Sequence, residues 1–309
     1  MTDFVTSTTP AHPAPSRLGP AIFRWGERTY VMGILNVTPD SFSGDGLLTD
    51  GSLAEGSPAG DDSVSLAVAT GQRMVAEGAD LLDVGGESTR PGHAPVTAEE
   101  ERRRVVPVIA ALRAALPDIP LSIDTTKAAV AEAALAAGAD LINDVWGVGA
   151  DESLARLAAD HGVPLIVMHN RAEPRYTSLL PEVIADLQRA IERALQLGVR
   201  WDDLIVDPGF GFGKTPEHNL ALLRDLGALR MLGRPILLGT SRKSTLGHVL
   251  GLPAGERLEA TIATTALGIA AGADLVRVHD VQANVRAARI SDPVIRGDRP
   301  PTTADGGPS

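Results

Sequence analysis

Apolar residues along this chain follow two alternating rhythms. Short runs rich in Val, Ile and Leu occupy residues 30–35, 80–84, 120–123, 140–142, 164–168, 203–206, 235–238 and 274–278. Their length and β-branched content predict strands, and their near-continuous hydrophobicity predicts strands covered on both faces. Between them lie longer Ala- and Arg-rich stretches at 62–78, 98–116, 126–138, 152–161, 181–198, 217–232 and 257–272, with a last one after Asp280. These read as helices. Gly78, Gly138, Gly198 and Gly272 stand where helix C-caps belong, and three of these stops lead through Ala-Asp straight into a strand.

Eight strand–helix units within about 260 residues predict an α/β fold, a single-domain (β/α)8 TIM barrel spanning residues 21–291. An open doubly wound sheet is the alternative; it would normally have fewer strands, and no dinucleotide fingerprint follows the first one. Residues 1–20 are rich in Pro, Thr and Ser and are expected to form a disordered extension. Residues 292–309 are expected to be a flexible tail.

Composition narrows the possible functions. Lys and Arg number 28 against 39 Asp and Glu, a net charge of −11, so a polyanion would be repelled and nucleic acid is not an expected partner. With five Phe, three Trp and two Tyr there are few platforms for stacking bases. The absence of cysteine excludes disulfides, thiolate nucleophiles and Cys-ligated metals. The longest apolar stretch, residues 260–273, falls short of the roughly 20 residues a bilayer span needs, so no membrane association is expected. The first residues show no basic and apolar leader pattern, and a cytoplasmic location is expected.

In a barrel the loops that follow the strands form the active face. Here they carry a polar ring. Asn36 follows the first strand, Glu87 to Gly92 the second, Asp124 the third and Asn143-Asp144 the fourth. Met168-His169 follow the fifth, Asp207 to Lys214 the sixth, Ser241-Arg242-Lys243-Ser244 the seventh, and the eighth contains Arg277 and leads to His279. Asp124 or Asp144 alone could be a helix N-cap, Arg242 and Lys243 a solvated pair, and Asp83 a buried structural carboxylate. Together, however, Asp124, Asn143 and Asp207 present acceptors suited to an N–H-rich heterocycle such as an aminopyrimidine. Arg90, Lys243 and Arg277 supply charge for an anionic group. Gly213-Lys214-Thr215 looks like the end of a P-loop, but Pro208 stands where that motif needs its first glycine. No HExxH spacing supports zinc hydrolysis.

Several of these segments, in this order, closely resemble the dihydropteroate synthase family. They are Gly33 to Ser43, Asp83 to Gly92, Ile123-Asp124-Thr125, Asn143-Asp144-Val145, Asp207 to Lys214, Ser241 to Ser244 and Arg277 to Asp280. The resemblance covers about residues 28–290. It implies condensation of 6-hydroxymethyl-7,8-dihydropterin pyrophosphate with p-aminobenzoate, with Mg²⁺ assistance, to 7,8-dihydropteroate and pyrophosphate; sulfonamides block this step of folate biosynthesis. It also implies a homodimer. By matching segments, Asp124, Asn143, Asp207 and Lys243 are expected to bond the pterin, and Met168, Phe212 and the Arg277 stem to line its slot. Asn36, Arg90, Arg277 and His279 are expected to hold pyrophosphate, with Asn36 the protein ligand to Mg²⁺. Phe42, Thr89, Pro91 and Ser244 are expected to frame the p-aminobenzoate site.

The first loop departs from the family pattern. The family reads Ser-Phe-Ser-Asp-Gly-Gly, whereas Ser41-Phe42-Ser43-Gly44-Asp45-Gly46 moves the acid by one position, so its role is not carried over. The long Gly-rich run that follows is expected to act as a lid that orders with both substrates. Two other readings compete. A pterin-dependent methyltransferase would share the acidic edge but has no need of Ser241-Arg242-Lys243, and a silent pterin-binding paralogue would share the whole fold.

Overall fold

The structure, a computed structural model, describes residues 12–38, 61–87, 96–148 and 151–297. Eight parallel strands form the body: β3 (Tyr30–Asn36), β4 (Leu81–Gly85), β5 (Leu121–Asp124), β6 (Leu141–Asp144), β7 (Leu165–Met168), β8 (Leu204–Asp207), β9 (Leu237–Leu238) and β10 (Leu275–Val278). Their order around the sheet is β8-β7-β6-β5-β4-β3-β10-β9, and a parallel bridge from Val206 to Ile236 joins the two ends into a closed barrel. Helices follow the strands: α1 (Asp61–Ala76), α2 (Ala98–Ala115), α3 (Ala128–Ala136), α4 (Ser153–His161), α5 (Leu179–Gln196), α6 (Pro216–Arg224), α7 (Ser244–Leu250), α8 (Leu258–Ala271) and α9 (Val281–Arg296).

The continuous apolar runs have the meaning their pattern suggests. Along each strand one set of side chains, such as Val31, Leu82, Ile142 and Leu165, packs outward against the helices. The alternate set, Met32, Leu81, Leu141, Ile166, Ile205, Leu237 and Leu275, fills the barrel's interior.

The expected boundaries move at both ends. A hairpin of β1 (Ser16–Leu18) and β2 (Ala21–Phe23) pairs Ser16 with Phe23, so the chain is ordered well before residue 21. Composition misled here because a few bulky side chains outweigh the polar ones: Leu18, Phe23, Trp25 and Tyr30 plug the bottom of the barrel against its internal layer. Each such burial contributes about 1.5–3 kcal/mol. At the other end, α9 continues through Arg296, because Asp292 accepts from the N–H and hydroxyl of Thr29, both at 2.8 Å, and from Arg296 at 2.9 Å. Residues 292–296, expected to open a flexible tail, are therefore helical, and residues 298–309 lie outside the described residues. The single helix expected at 217–232 is α6 followed by a 3-10 turn at Leu226–Leu232, and α7 was not foreseen.

Candidate active site

Strand alternation decides which side chains reach the barrel mouth. In β4, Leu81 belongs to the internal layer and Leu82 to the outer one, so Asp83 and Gly85 point inward. The same parity sends Ser122 and Asp124 of β5, Asn143 of β6, Met168 of β7, Asp207 of β8 and Arg277 of β10 into one space, with Asn36 at the end of β3. A side chain on Gly85 would begin 3.6 Å from Asn36 Oδ1 and 3.8 Å from Asp124 Oδ2. Glycine there keeps the mouth open between them.

Arg277 organises the floor. Its Nε donates to Asp83 Oδ2 at 2.5 Å and its Nη2 to Asp124 Oδ2 at 2.6 Å, while Nη1 is bound to neither acid. Asn143 Nδ2 donates to the same Asp83 oxygen at 3.1 Å, which turns Asn143 Oδ1 toward the mouth. Asp83 is fully buried, as a structural carboxylate would be, yet it fixes the orientation of two neighbouring site residues. Asp207 Oδ1 accepts from Gly209 N–H at 2.7 Å, leaving its other oxygen for the mouth. Asp124 Oδ1 is a buried acceptor with no hydrogen-bond partner among the described residues. Such an atom is costly to leave unmet, about 1–3 kcal/mol, unless a ligand donates to it.

Lys243 enters from the opposite side. Arg242 just before it has φ +55°, a left-handed conformation that a non-glycine residue adopts at a cost of about 1–3 kcal/mol. Several contacts hold it there: a two-point ion pair with Asp280 at 2.7 and 3.1 Å, a bond from Arg242 N–H to Thr261, and Arg257 donating to the Arg242 carbonyl at 2.9 Å. The two basic residues consequently part company. Arg242 pairs with Asp280, whereas Lys243 Nζ donates to the Phe210 carbonyl at 2.7 Å and sits 3.8 Å from the centre of the Phe212 ring.

Burial sets the electrostatics. It pushes the Asp124 carboxyl up to about 7 with help from Asp83 and Glu101, against the pull of Arg277 and Lys243. Burial likewise raises Asp207, against its bond from Gly209 and the nearby cations. It pushes the Lys243 ammonium down to about 7, opposed by Asp207 and Asp124. Acids and a base with displaced affinities converging on one cavity mark a place built for ligand charge.

A pterin binding enzyme family model matches residues 32–279. The chain is 49% identical over 281 residues to the dihydropteroate synthase of Clostridium beijerinckii, covering 91% of this chain and 99% of that one. The chain belongs to the dihydropteroate synthase family. Among solved structures it is similar to the dihydropteroate synthase of Clostridium difficile, crystallised in the presence of pteroic acid, with 46% identity and a TM-score of 0.82 over 89% of this chain and 99% of that one. It is also similar to that of Xanthomonas albilineans with 4-aminobenzoic acid, with 42% identity and a TM-score of 0.82 over 91% and 98%. The synthase is a transferase of folate biosynthesis, and it condenses the pterin pyrophosphate with p-aminobenzoate.

Of the residues singled out in the sequence, the fold gathers Asn36, Asp124, Asn143, Met168, Asp207, Phe212, Lys243 and Arg277 at the mouth. His279 follows β10, and Ser244 opens α7 beside Lys243. Phe42, Thr89, Arg90 and Pro91, with the shifted Asp45 and the lid expected in the first loop, lie outside the described residues. Asp144 takes the turn-capping role instead, its Oδ1 accepting from the N–H groups of Trp146 and Gly147 at 3.0 Å.

Two contributors were missed by sequence reasoning. Ser241 Oγ lies 2.9 Å from His279 Nδ1 and accepts from His279 N–H at 3.1 Å, so its hydroxyl fixes the orientation of the ring. Asp83 was read as structure alone. Its period-two spacing from Leu81 and Gly85 was the available signal.

Proposed function

We propose that the synthase reaction takes place at this mouth, with the pterin edge bonded by Asp124, Asn143, Asp207 and Lys243 and its rings lying against Met168, Phe212 and the Arg277 stem. The observation that carries this reading is Asp124 Oδ1, a buried acceptor without a partner beside two more inward-turned acceptors. A pterin offers the N–H donors this set lacks, and Lys243 offers a donor to the ring's own acceptors. Pteroic acid and 4-aminobenzoic acid accompany two of the similar solved structures, which supports the same pair of substrate halves here.

Asn36, Arg90, Arg277 and His279 would receive the pyrophosphate, with Arg277 Nη1 the guanidinium nitrogen not committed to an acid. Phe42, Thr89, Pro91 and Ser244 would frame p-aminobenzoate. Mg²⁺ fits the donor set in one way. Among the described residues no three acidic or His side chains form a group that could hold a metal. Mg²⁺ commonly keeps waters and binds substrate phosphates with few protein ligands, and Asn36 would supply one oxygen. When bound, the ion would neutralise charge on the departing pyrophosphate. As the C–O bond breaks, positive charge on the pterin methylene is spread over the ring system, and the ring of acids beneath stabilises it. The aniline nitrogen then forms the C–N bond and loses a proton.

Isothermal titration of 6-hydroxymethylpterin tests the ring assignment. Asp207→Asn is expected to weaken binding by about 10- to 100-fold, the value of a hydrogen bond to a charged group. Unchanged affinity would contradict the assignment.

A pH dependence follows from the same groups. Asp124 gains a proton as pH falls through about 7 and stops acting as a full acceptor; Lys243 loses its proton as pH rises through about 7 and gives up a donor. The profile of kcat/KM for the pterin substrate is therefore expected to be bell-shaped with its maximum near 7, the limbs belonging to the coupled set of groups. A flat profile between about pH 6 and about pH 8 would be inconsistent with both groups acting.

A further inference from the structure

Lys214 closes the glycine-rich segment after β8, and the reaction as derived makes no use of it. Its Nζ lies 2.9 Å from His169 Nδ1, 2.9 Å from the Phe212 carbonyl and 3.0 Å from the Gly209 carbonyl. The His169 carbonyl lies farther off at 3.5 Å, so the three N–H donors of an ammonium are matched by the three nearer acceptors. Burial pushes Lys214 down to about 7, with the charges of Lys243 and Arg171 adding to the shift and those of Asp207 and Asp186 opposing it. His169 is the counterpart. It accepts at Nδ1 and so carries its proton on Nε2, which faces Asp186 Oδ2 at 3.1 Å. Burial and the Lys214 charge hold the imidazole neutral, with its pKa lowered to about 4.

The network continues into the connection between β7 and α5. Asp186 accepts from Arg171 Nε at 2.9 Å and Nη2 at 2.6 Å; Arg171 lies over the Tyr176 ring, and the Tyr176 hydroxyl donates to the Gly213 carbonyl at 2.8 Å. Three carbonyls of the segment, those of Gly209, Phe212 and Gly213, are thus drawn toward that connection. A fourth, that of Phe210, accepts from Lys243. The backbone has little freedom to arrange this otherwise. Gly209 has φ +69°, and a Cβ there would fall 1.8 Å from the His169 carbonyl oxygen.

We propose that Lys214 is a positioning residue for the pterin slot: by drawing the Gly209 and Phe212 carbonyls onto one ammonium, backed by His169 and Asp186, it sets the Phe210 carbonyl and the Phe212 ring against Lys243. The proposal rests on the synthase reading. It assigns Lys214 to the binding of the pterin half and not to p-aminobenzoate or to the bond-making step. A planar guanidinium cannot meet three acceptors converging on one point, so arginine is not an equivalent.

Steady-state kinetics of Lys214→Met, Lys214→Ala and Tyr176→Phe test it, with the unaltered protein alongside. Lys214→Met is expected to raise KM for the pterin pyrophosphate at least about tenfold, with KM for p-aminobenzoate and kcat changed by less than about threefold, the pattern of lost ground-state binding. Added methylammonium is expected to restore part of the loss in Lys214→Ala. Tyr176→Phe removes one hydroxyl at the far side of the same segment, and is expected to move the same KM in the same direction by about two- to fivefold. A Lys214 variant that loses thermal stability or kcat while keeping the pterin KM overturns the proposal; should neither Lys214 variant fold, a wild-type pterin KM in Tyr176→Phe overturns it. If the unaltered protein makes no dihydropteroate, the synthase reading fails and this inference with it. If it makes product and the variants keep its KM, only this inference fails.

Discussion

Replacing Arg277 with methionine is expected to cost the protein both stability and turnover. The guanidinium answers two carboxylates from different strands, Asp83 fully buried and Asp124 nearly so. Removing one partner of a buried ion pair leaves charge without compensation and typically costs about 3–5 kcal/mol. Asn143 shares the Asp83 oxygen, so its orientation would loosen as well. The pyrophosphate would lose a cation and the pterin the stem that lines its slot, and activity is expected to fall by at least about 1,000-fold, the scale of losing a preorganised charge contact. Arg277→Lys should recover little, because one ammonium cannot reproduce a planar fork facing two acids. The cause can be checked by pH. The deficit comes from unpaired carboxylates, and Asp124 already lies high in the range, so protonation relieves it. Thermal unfolding of Arg277→Met is therefore expected to approach that of the unaltered protein as pH falls from about 8 toward about 5. A deficit that does not change with pH would contradict the account.

Replacing Lys243 with methionine is expected to separate stability from function. Burial disfavours the Lys243 ammonium, and among the described residues its hydrogen bond goes to one carbonyl, that of Phe210. Methionine keeps the stem against Phe212 and removes the buried charge, while the Phe210 carbonyl loses its donor at a cost of about 1–3 kcal/mol. The linkage sign favours the replacement. A lysine whose pKa is lowered to about 7 in the folded state binds fewer protons there than in the unfolded state between about 7 and the ordinary value of 10.5, so at and below neutrality it opposes folding. The variant is expected to melt at the same temperature as the unaltered protein or a few degrees higher at pH near 7. Its turnover should nevertheless fall by at least about 100-fold, because the donor to the pterin ring and the positive charge beside it are both gone. Calorimetry with a matched product assay checks this. Loss of stability in parallel with activity would show that Lys243 serves the fold rather than the ligand.

What the sequence disclosed and what it hid have a common physical cause. Strand runs and glycine caps are local patterns, and strand parity is local too, so Asp124, Asn143 and Asp207 could be placed on one acceptor ring from spacing alone. The pairings are not local. Arg277 is 194 positions from Asp83 and 153 from Asp124, and nothing near any of the three announces the others. The same holds for Lys214 and His169, 45 positions apart; the lysine stands in a segment whose wording invites a phosphate-loop reading. The Ser241 hydroxyl that orients His279 acts across 38 positions. The hairpin under the barrel escaped notice for a different reason. Its strands are three residues each, too short for a periodic signal, and their anchoring comes from Phe23, Trp25 and Tyr30 packing on the barrel floor.

The most direct test is a stoichiometric assay of the purified chain with 6-hydroxymethyl-7,8-dihydropterin pyrophosphate, with and without p-aminobenzoate and Mg²⁺, following both pyrophosphate and dihydropteroate. Equal amounts of the two products, formed only when all components are present or with pyrophosphate release strongly accelerated by p-aminobenzoate, are the expected result. Tight pterin binding with neither product would contradict it and leave the barrel mouth as a binding site alone.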